Sequence, residues 1–387
     1  MRRGALALSL VTTACFDPVP MKGLGCSETD RCPANEICFA DGVCGPDIPV
    51  DGVEPFMLGP GTVSAISIVF ATGFQTIVGL TNVDDTGFRL HTINSDGLVT
   101  TKATFPATVG PFVVMLPMSG TNTLFAWQPA ELRMGAIDIN SGVPGEHKPI
   151  AAAGEMHGLV PGVIEPTSRY GYLWFDPGTE DLQLARVYVG GDVSAAQLRI
   201  DQSIPIRPGL LGVPEQDKWL VVYAHEDLGR YAVADGKEMN IDRHDYPFVP
   251  MNPRLAGTDD RIALVFDDGQ DVFFVPIDRG AASLGQPLGT PTSISHADYS
   301  MLPNVASDGT SFGVVWLFDR HPGSEHDLYF AVLDETGAIT VAARRIATVN
   351  GPSEVPAEIV WWPGAMKYVV SWADPELGTQ FLFLDRQ

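Results

Sequence analysis

The five residues Asp267-Asp268-Gly269-Gln270-Asp271 set three carboxylates and one side-chain amide close together, the densest oxygen set in any one loop of the chain. Calcium takes about six to eight oxygen ligands, so this stretch is the best candidate for a Ca2+ loop, although it lacks the EF-hand pattern. Comparable acidic stretches recur: Asp84 and Asp85; Glu131; Asp176, Glu180 and Asp181; Glu226 and Asp227; Asp319, Glu325 and Asp327; Asp374 and Glu376. With the first loop they hold 16 of the 47 acidic residues. Turn chemistry alone also explains acidic residues where a chain reverses. Histidines follow the same distribution: His225, His321 and His326 fall in these stretches, and His157 and His296 fall in connections. A histidine beside carboxylates can ligate a transition metal or act as a general base. No pair has the helical H-x3-H spacing of a metal motif. The candidate ligand face therefore comprises Asp176, His225, Asp227, Asp267, Asp268, Asp271, His296, Asp319 and His326. Tyr299 and Trp361-Trp362, near loop ends, are further candidates for ligand contact.

One nucleophile motif is present and fails on context. Gly309-Thr-Ser311-Phe-Gly313 matches G-x-S-x-G. That elbow needs a helix after the serine, whereas Val314-Val-Trp-Leu-Phe318 reads as a strand and Ser307-Asp-Gly-Thr310 as a hairpin turn.

The acidic stretches are positioned by a repeat. Apolar runs end at Leu80, Trp127, Trp174, Tyr223, Phe266, Trp316 and Trp372, spaced 47, 47, 49, 43, 50 and 56 residues. A second landmark, a polar or glycine turn at Asn94, Asn140, Gly190, Asp235, Asp278, Asp334 and Asp385, repeats with spacings of 46, 50, 45, 43, 56 and 51. Several short strands per copy at such a period predict a propeller. The runs are nearly all apolar, as in sheets covered on both faces, and no segment sustains a helical period. Each acidic stretch follows an anchor run, so all seven are predicted to emerge on one face. The seventh copy ends at Asp385 without its outermost strand, and Gly52-Val-Glu-Pro-Phe-Met-Leu58 is positioned to supply it and cover the edge. The expected fold is all-β, a seven-bladed β-propeller over residues 51–387 closed by an N-terminal strand, with tandem β-sandwiches as the alternative. The copies lack the Trp-Asp signature of WD repeats and, except at Gly190-Gly191, the paired glycines of kelch repeats.

Composition bounds the partners. The 387 residues carry a formal net charge of −23, or −25 once residues 1–14 are removed. A field of that sign repels nucleic acid and anionic headgroups and attracts cations or basic partners. Nucleic acid is accordingly not an expected partner.

Met1-Arg-Arg3 is basic, and Gly4 to Ala14 is an uncharged, mostly apolar stretch of eleven residues. Spanning a bilayer needs about 20 residues; the shorter stretch fits a signal peptide over residues 1–14. Its end, Val11-Thr-Thr-Ala14-Cys15, resembles the lipobox of bacterial lipoproteins, with Thr12 where leucine is usual. The resemblance implies that Cys15 is acylated and becomes the new amino terminus; ordinary cleavage and a misassigned start are the alternatives. Cys26, Cys32, Cys38 and Cys44 follow at C-x5-C-x5-C-x5-C spacing. An exported segment too short for its own core is expected to be held by disulfides. Zinc sites favour closer cysteine pairs. Two disulfides are therefore predicted in residues 15–50, in any of three connectivities. This segment is similar to the cysteine-rich stubs that follow the lipid site in other bacterial surface lipoproteins.

Together these readings predict an exported monomer, tied to the bacterial outer membrane through its lipid alone and facing the periplasm or the surface. The expected role is non-enzymatic binding of a protein, peptide or glycan through the acidic face. The alternative is an enzyme acting on a polysaccharide or lactone, with a His/carboxylate or metal centre at the channel mouth. The two differ in geometry: an enzyme brings histidine and carboxylate within hydrogen-bond reach.

Overall fold

The computed structural model describes residues 36–38, 44–46, 55–59, 62–71, 74–83, 87–94, 98–106, 113–117, 122–127, 132–138, 141, 148–151, 157–164, 169–188, 194–202, 208–235, 240–295, 299–321, 325–350, 357–374 and 378–386. They fall into two units, one within Met1–Asp47 and the other within Ile48–Gln387. In the first unit the strands Glu36–Cys38 and Cys44–Pro46 pair antiparallel, with Cys38 opposite Cys44. Cys15, Cys26 and Cys32 lie outside the described residues.

The second unit is all-β. Among the described residues it contains seven four-stranded sheets, antiparallel throughout, and its one helical element is the 3-10 turn Pro214–Gln216. The first sheet uses strands between Thr62 and Pro106, and the second strands between Val113 and Ala151. The third runs from His157 to Gln202, the fourth from Gly209 to Tyr246, the fifth from Met251 to Ser293 and the sixth from Ser300 to Asn350. The seventh combines Glu358–Trp362, Lys367–Asp374 and Gly378–Asp385 with Phe56–Gly59 as its outermost strand, Phe56 standing opposite Phe381. Each anchor run occupies the second strand of a sheet. First strands adjoin in order around a circuit that returns from Glu358–Trp362 to Thr62–Ala71. Tandem sandwiches would instead pair the sheets face to face in two separate groups, and the circuit rules them out.

Adjacent sheets interlock by complementary size. The six-membered ring of Trp219, second residue of its strand, sits against Gly162 and Gly171 of the third sheet, which are themselves cross-strand partners. A methyl added at Gly171 would lie 2.9 Å from Trp219 Cη2 and Cζ3. The corresponding residue of the seventh sheet, Tyr368, covers Gly313 of the sixth in the same way. Phe312 shares a cluster with Ala263, and where the incoming residue is the smaller Ile262 its counterpart grows to Leu220. Interiors packed to crystal-like density leave no slack at such contacts.

Turns at the far edge from the acidic stretches are closed by carboxylates or amides. Asn94 Oδ1 accepts the Leu98 N–H at 2.8 Å, Asp278 Oδ1 the Gly280 N–H at 2.9 Å and Asp334 Oδ1 the Thr336 N–H at 2.8 Å. In the second sheet this role falls to Asp138, which accepts the Ser141 N–H at 2.9 Å; the predicted marker Asn140 lies outside the described residues.

Candidate functional site

Because every sheet is wound in the same strand order, the turns between second and third strands all lie at one edge of the unit. The third sheet presents Pro177 to Glu180 there, the fourth Glu226 and Asp227, and the fifth Asp268 to Asp271. Glu180, Glu226 and Asp227 are exposed, and among the described residues their carboxylates have no hydrogen-bond or ion-pair partner. Glu180 and Glu226 both occupy left-handed backbone, at φ 57° and 52°. That conformation is strained for residues with a side chain and is normally left to glycine or asparagine. Asp176, half-buried, folds back on its own turn and accepts the Gly178 N–H at 2.9 Å. His225 is half-buried at the end of its strand, opposite Leu228.

The three carboxylates of the fifth-sheet loop diverge instead of converging on a cation. Asp267 is 1% exposed. Its Oδ2 accepts the Asn252 amide N–H at 2.9 Å and the Leu302 backbone N–H at 3.0 Å. Asn252 and Leu302 are the left-handed residues, φ 47° and 51°, of bulges in the first strands of the fifth and sixth sheets. One buried carboxylate thus ties two neighbouring sheets at their bulges, and desolvation raises its pKa against those bonds. Asp268 Oδ1 accepts the N–H groups of Gln270 and Asp271, each at 2.9 Å. Asp271 accepts the Ser295 hydroxyl at 3.0 Å, and Ser295 Oγ in turn accepts the Val272 N–H at 3.1 Å. No group of three or more His, Cys, Asp or Glu side chains able to hold a metal occurs among the described residues.

Asp319 and His326 face each other across the second and third strands of the sixth sheet. Both are buried, and Asp319 Oδ1 lies 3.9 Å from His326 Nδ1. That separation is too long for the hydrogen bond a general-base pair needs. His296 lies outside the described residues. Trp362 is buried against Phe383 and is core, whereas Trp361 is half-buried and packs on Tyr368. Tyr299 is exposed, with φ 67°, at the same edge as the acidic turns. Ser311 of the G-x-S-x-G match opens the strand Ser311–His321 and gives its hydroxyl proton to Asp308 Oδ2 at 2.5 Å in a hairpin turn, so the strand-to-helix elbow is absent.

Two features have no clear sequence signal. His91 is a buried imidazole, 3.2 Å from the Thr101 hydroxyl; desolvation and then Arg89 lower its pKa to about 4. At the far edge, Arg279 forks onto Glu215 at 2.5 and 2.8 Å, donates to the Thr258 carbonyl, and accepts the Gln216 amide N–H on its own carbonyl at 2.5 Å. That network joins the fourth and fifth sheets.

No protein-family model matches the chain, and no curated protein matches it. Among solved structures the chain is similar to the β-propeller domain of Myceliophteria thermophila Cps50 (Swd1), at 12% identity and TM-score 0.52 over 85% of this chain and 98% of that one. It is similar to the Aleuria aurantia lectin, a fungal lectin described as a six-bladed β-propeller with a novel fucose recognition mode, at 11% identity and TM-score 0.51 over 76% of this chain and 97% of that one. It is also similar to Kuenenia stuttgartiensis hydrazine synthase, at 9% identity and TM-score 0.50 over 84% of this chain and 77% of that one. A lectin and an enzyme share these strands, so the likeness speaks for architecture alone. The chain has a β-propeller fold.

Proposed function

We propose that this chain is an exported, lipid-anchored, non-enzymatic binding scaffold that presents the acidic edge of a seven-bladed propeller to a protein, peptide or glycan. In this reading residues 1–14 direct export and Cys15 carries the lipid. Residues 15–50 form a disulfide-held stub, and the monomeric propeller of residues 51–387 works at the bacterial outer membrane. The observation that carries the binding role is the set of exposed, internally unengaged carboxylates Glu180, Glu226 and Asp227 on turns of adjacent sheets, two of them at strained backbone positions. Strained backbone positions cluster at ligand clamps and active sites. The net charge of −23 favours a basic partner group. The fold match to a fucose-recognising lectin is compatible with a glycan partner. The separation of Asp319 and His326 weighs against the enzymatic alternative.

In the stub Cys26, Cys32, Cys38 and Cys44 form two disulfides, in any of three connectivities. Peptide mapping without reductant tests this, and free thiols at these positions refute it. Intact mass of protein extracted from membranes tests the anchor; an unmodified Cys15 ends that part of the proposal. For binding, arrays of basic peptides and of glycans are probed with the full chain and with the Glu180→Gln/Glu226→Gln/Asp227→Asn variant. The proposal expects ligands whose signal the variant loses, and it fails if no ligand appears or if the variant binds equally.

A further inference from the structure

The seventh sheet is closed by a strand borrowed from the other end of the sequence. In every other sheet of this unit the outermost strand directly follows the third strand in the chain, whereas Phe56–Gly59 is far in sequence from its partner Gly378–Asp385. Its backbone hold is small. Phe56 pairs with Phe381, Met57 with Gln380 and Gly59 with Thr379, and the register slips once among them. In the third sheet, by contrast, the whole of Asp181–Tyr188 is paired to its outermost strand. Pairing in the seventh sheet stops for a local reason. In this register the residue opposite Leu382 is Pro55, which has no N–H to donate and lies exposed outside the strand. Among the described residues, the outer edge of Leu382–Asp385 therefore has no strand beside it. Such an edge presents unpaired N–H and C=O groups with which another chain can pair.

Among the described side chains, Phe56 is the strand's anchor. Its ring stacks on Phe381 with centroids 5.3 Å apart and lies 5.7 Å from Phe383. It packs against the cluster of Ile93, Trp362, Val369 and Phe381, at the seam of the seventh and first sheets, yet is itself only half-buried. Main-chain pairing along a sheet edge with a side chain held in an apolar seam is the mode by which extended peptides add to sheets. We infer that Gly378–Asp385 is a strand-addition site for an extended, aromatic-bearing peptide of a partner protein, and that Phe56–Gly59 occupies it as the chain's own ligand. The resident strand has the advantage of proximity, an effective concentration in the millimolar range. A partner strand without proline opposite Leu382 has the compensating advantage of pairing along Leu382–Asp385 as well. The site is separate from Glu180, Glu226 and Asp227, and its fate does not bear on the acidic edge.

The test titrates the full chain into a fluorescein-labelled peptide of residues 51–60 carrying Pro55→Val, followed by anisotropy. The peptide is expected to bind the Phe56→Ala protein about tenfold or more tighter than the unmodified protein, whose resident strand competes better. Restoring Pro55 in the peptide, or adding Phe56→Ala to it, is expected to weaken binding about tenfold or more, 1.4 kcal/mol. If the Phe56→Ala protein does not fold, hydrogen exchange of the unmodified chain carries the comparison. There, Pro55→Val peptide at about 2 mM, near the effective concentration of the resident strand, is expected to slow exchange of the Leu382–Asp385 amides and to speed that of Phe56–Gly59. The inference is overturned if the peptide binds neither protein, binds both equally, or binds no better than the peptides with Pro55 restored or Phe56→Ala added. Unchanged exchange at both strands overturns it as well.

Discussion

The contact between Gly171 and Trp219 offers a quantitative check on how the sheets hold together. A Cβ on Gly171 would approach the Trp219 ring to 2.9 Å; the ring also abuts Gly162, the cross-strand partner of Gly171, and shares a cluster with Leu210. Overpacking of this kind costs about 1–3 kcal/mol. Replacing a strand glycine returns about 0.5–1 kcal/mol of backbone entropy. Gly171→Ala should therefore destabilise the protein by up to about 2.5 kcal/mol, the difference of those two effects. Trp219→Ile alone leaves a hole and should be destabilising, though by less than the about 3–5 kcal/mol of a truncation to alanine. The neighbouring contact, where Leu220 meets Ile262, shows what a relaxed pair looks like. Gly171→Leu combined with Trp219→Ile should then be less damaging than the sum of its parts by about 0.5–3 kcal/mol. Urea unfolding followed by near-ultraviolet circular dichroism gives the four corners of the cycle. A stabilising Gly171→Ala, or strict additivity in the double variant, would refute size complementarity at this contact.

Other consequences concern single side chains. Asp267→Ala strands the Asn252 amide and the Leu302 N–H, and should cost about 1–3 kcal/mol in urea unfolding; an unchanged midpoint would show that the two bulges need no tie. His91 stays neutral when folded because its pKa falls from 6.5 to about 4. The unfolded chain therefore binds the extra proton, and stability should drop as pH falls from about 6.5 to about 4, by about 3 kcal/mol in full. His91→Gln should flatten that part of the profile of thermal midpoint against pH, and an identical profile would exclude His91 as its source. Arg279→Lys keeps the charge but loses the fork onto Glu215, whose pKa the Arg279 hydrogen bonds lower. It should cost about 1 kcal/mol at low salt, read by thermal unfolding, with the difference shrinking as salt is added; a salt-independent loss would mean a packing role.

The sheets were legible because their chemistry is local. Tyr172 to Phe175 and Leu220 to Ala224 are buried on both faces of their strands, so the sequence there must be continuously apolar, and an apolar run is visible without knowing its neighbours. Turn carboxylates such as Asp278 and Asp334 were visible for the same reason, since each is bonded within a few residues. What the acidic stretches do was far less legible. Asp267 and Asp227 look alike in sequence, yet one is sealed against bulges of two sheets and the other is open to solvent. The difference is set by Asn252 and Leu302, residues 15 and 35 positions away, and no local pattern reports a bulge. The same holds for Trp362, whose burial depends on Phe383 across the sheet. His91 carries no motif, and its depressed basicity comes mainly from burial, with the Arg89 charge adding to it.

If partners bind at the acidic edge, neutralising it must weaken binding. The strongest array ligand is titrated into the full chain and into Glu180→Gln/Glu226→Gln/Asp227→Asn, at low and at physiological salt. At least about a tenfold weaker Kd is expected for the neutralised edge, 1.4 kcal/mol, with a smaller salt dependence. Equal affinity and equal salt dependence in the two proteins would contradict it.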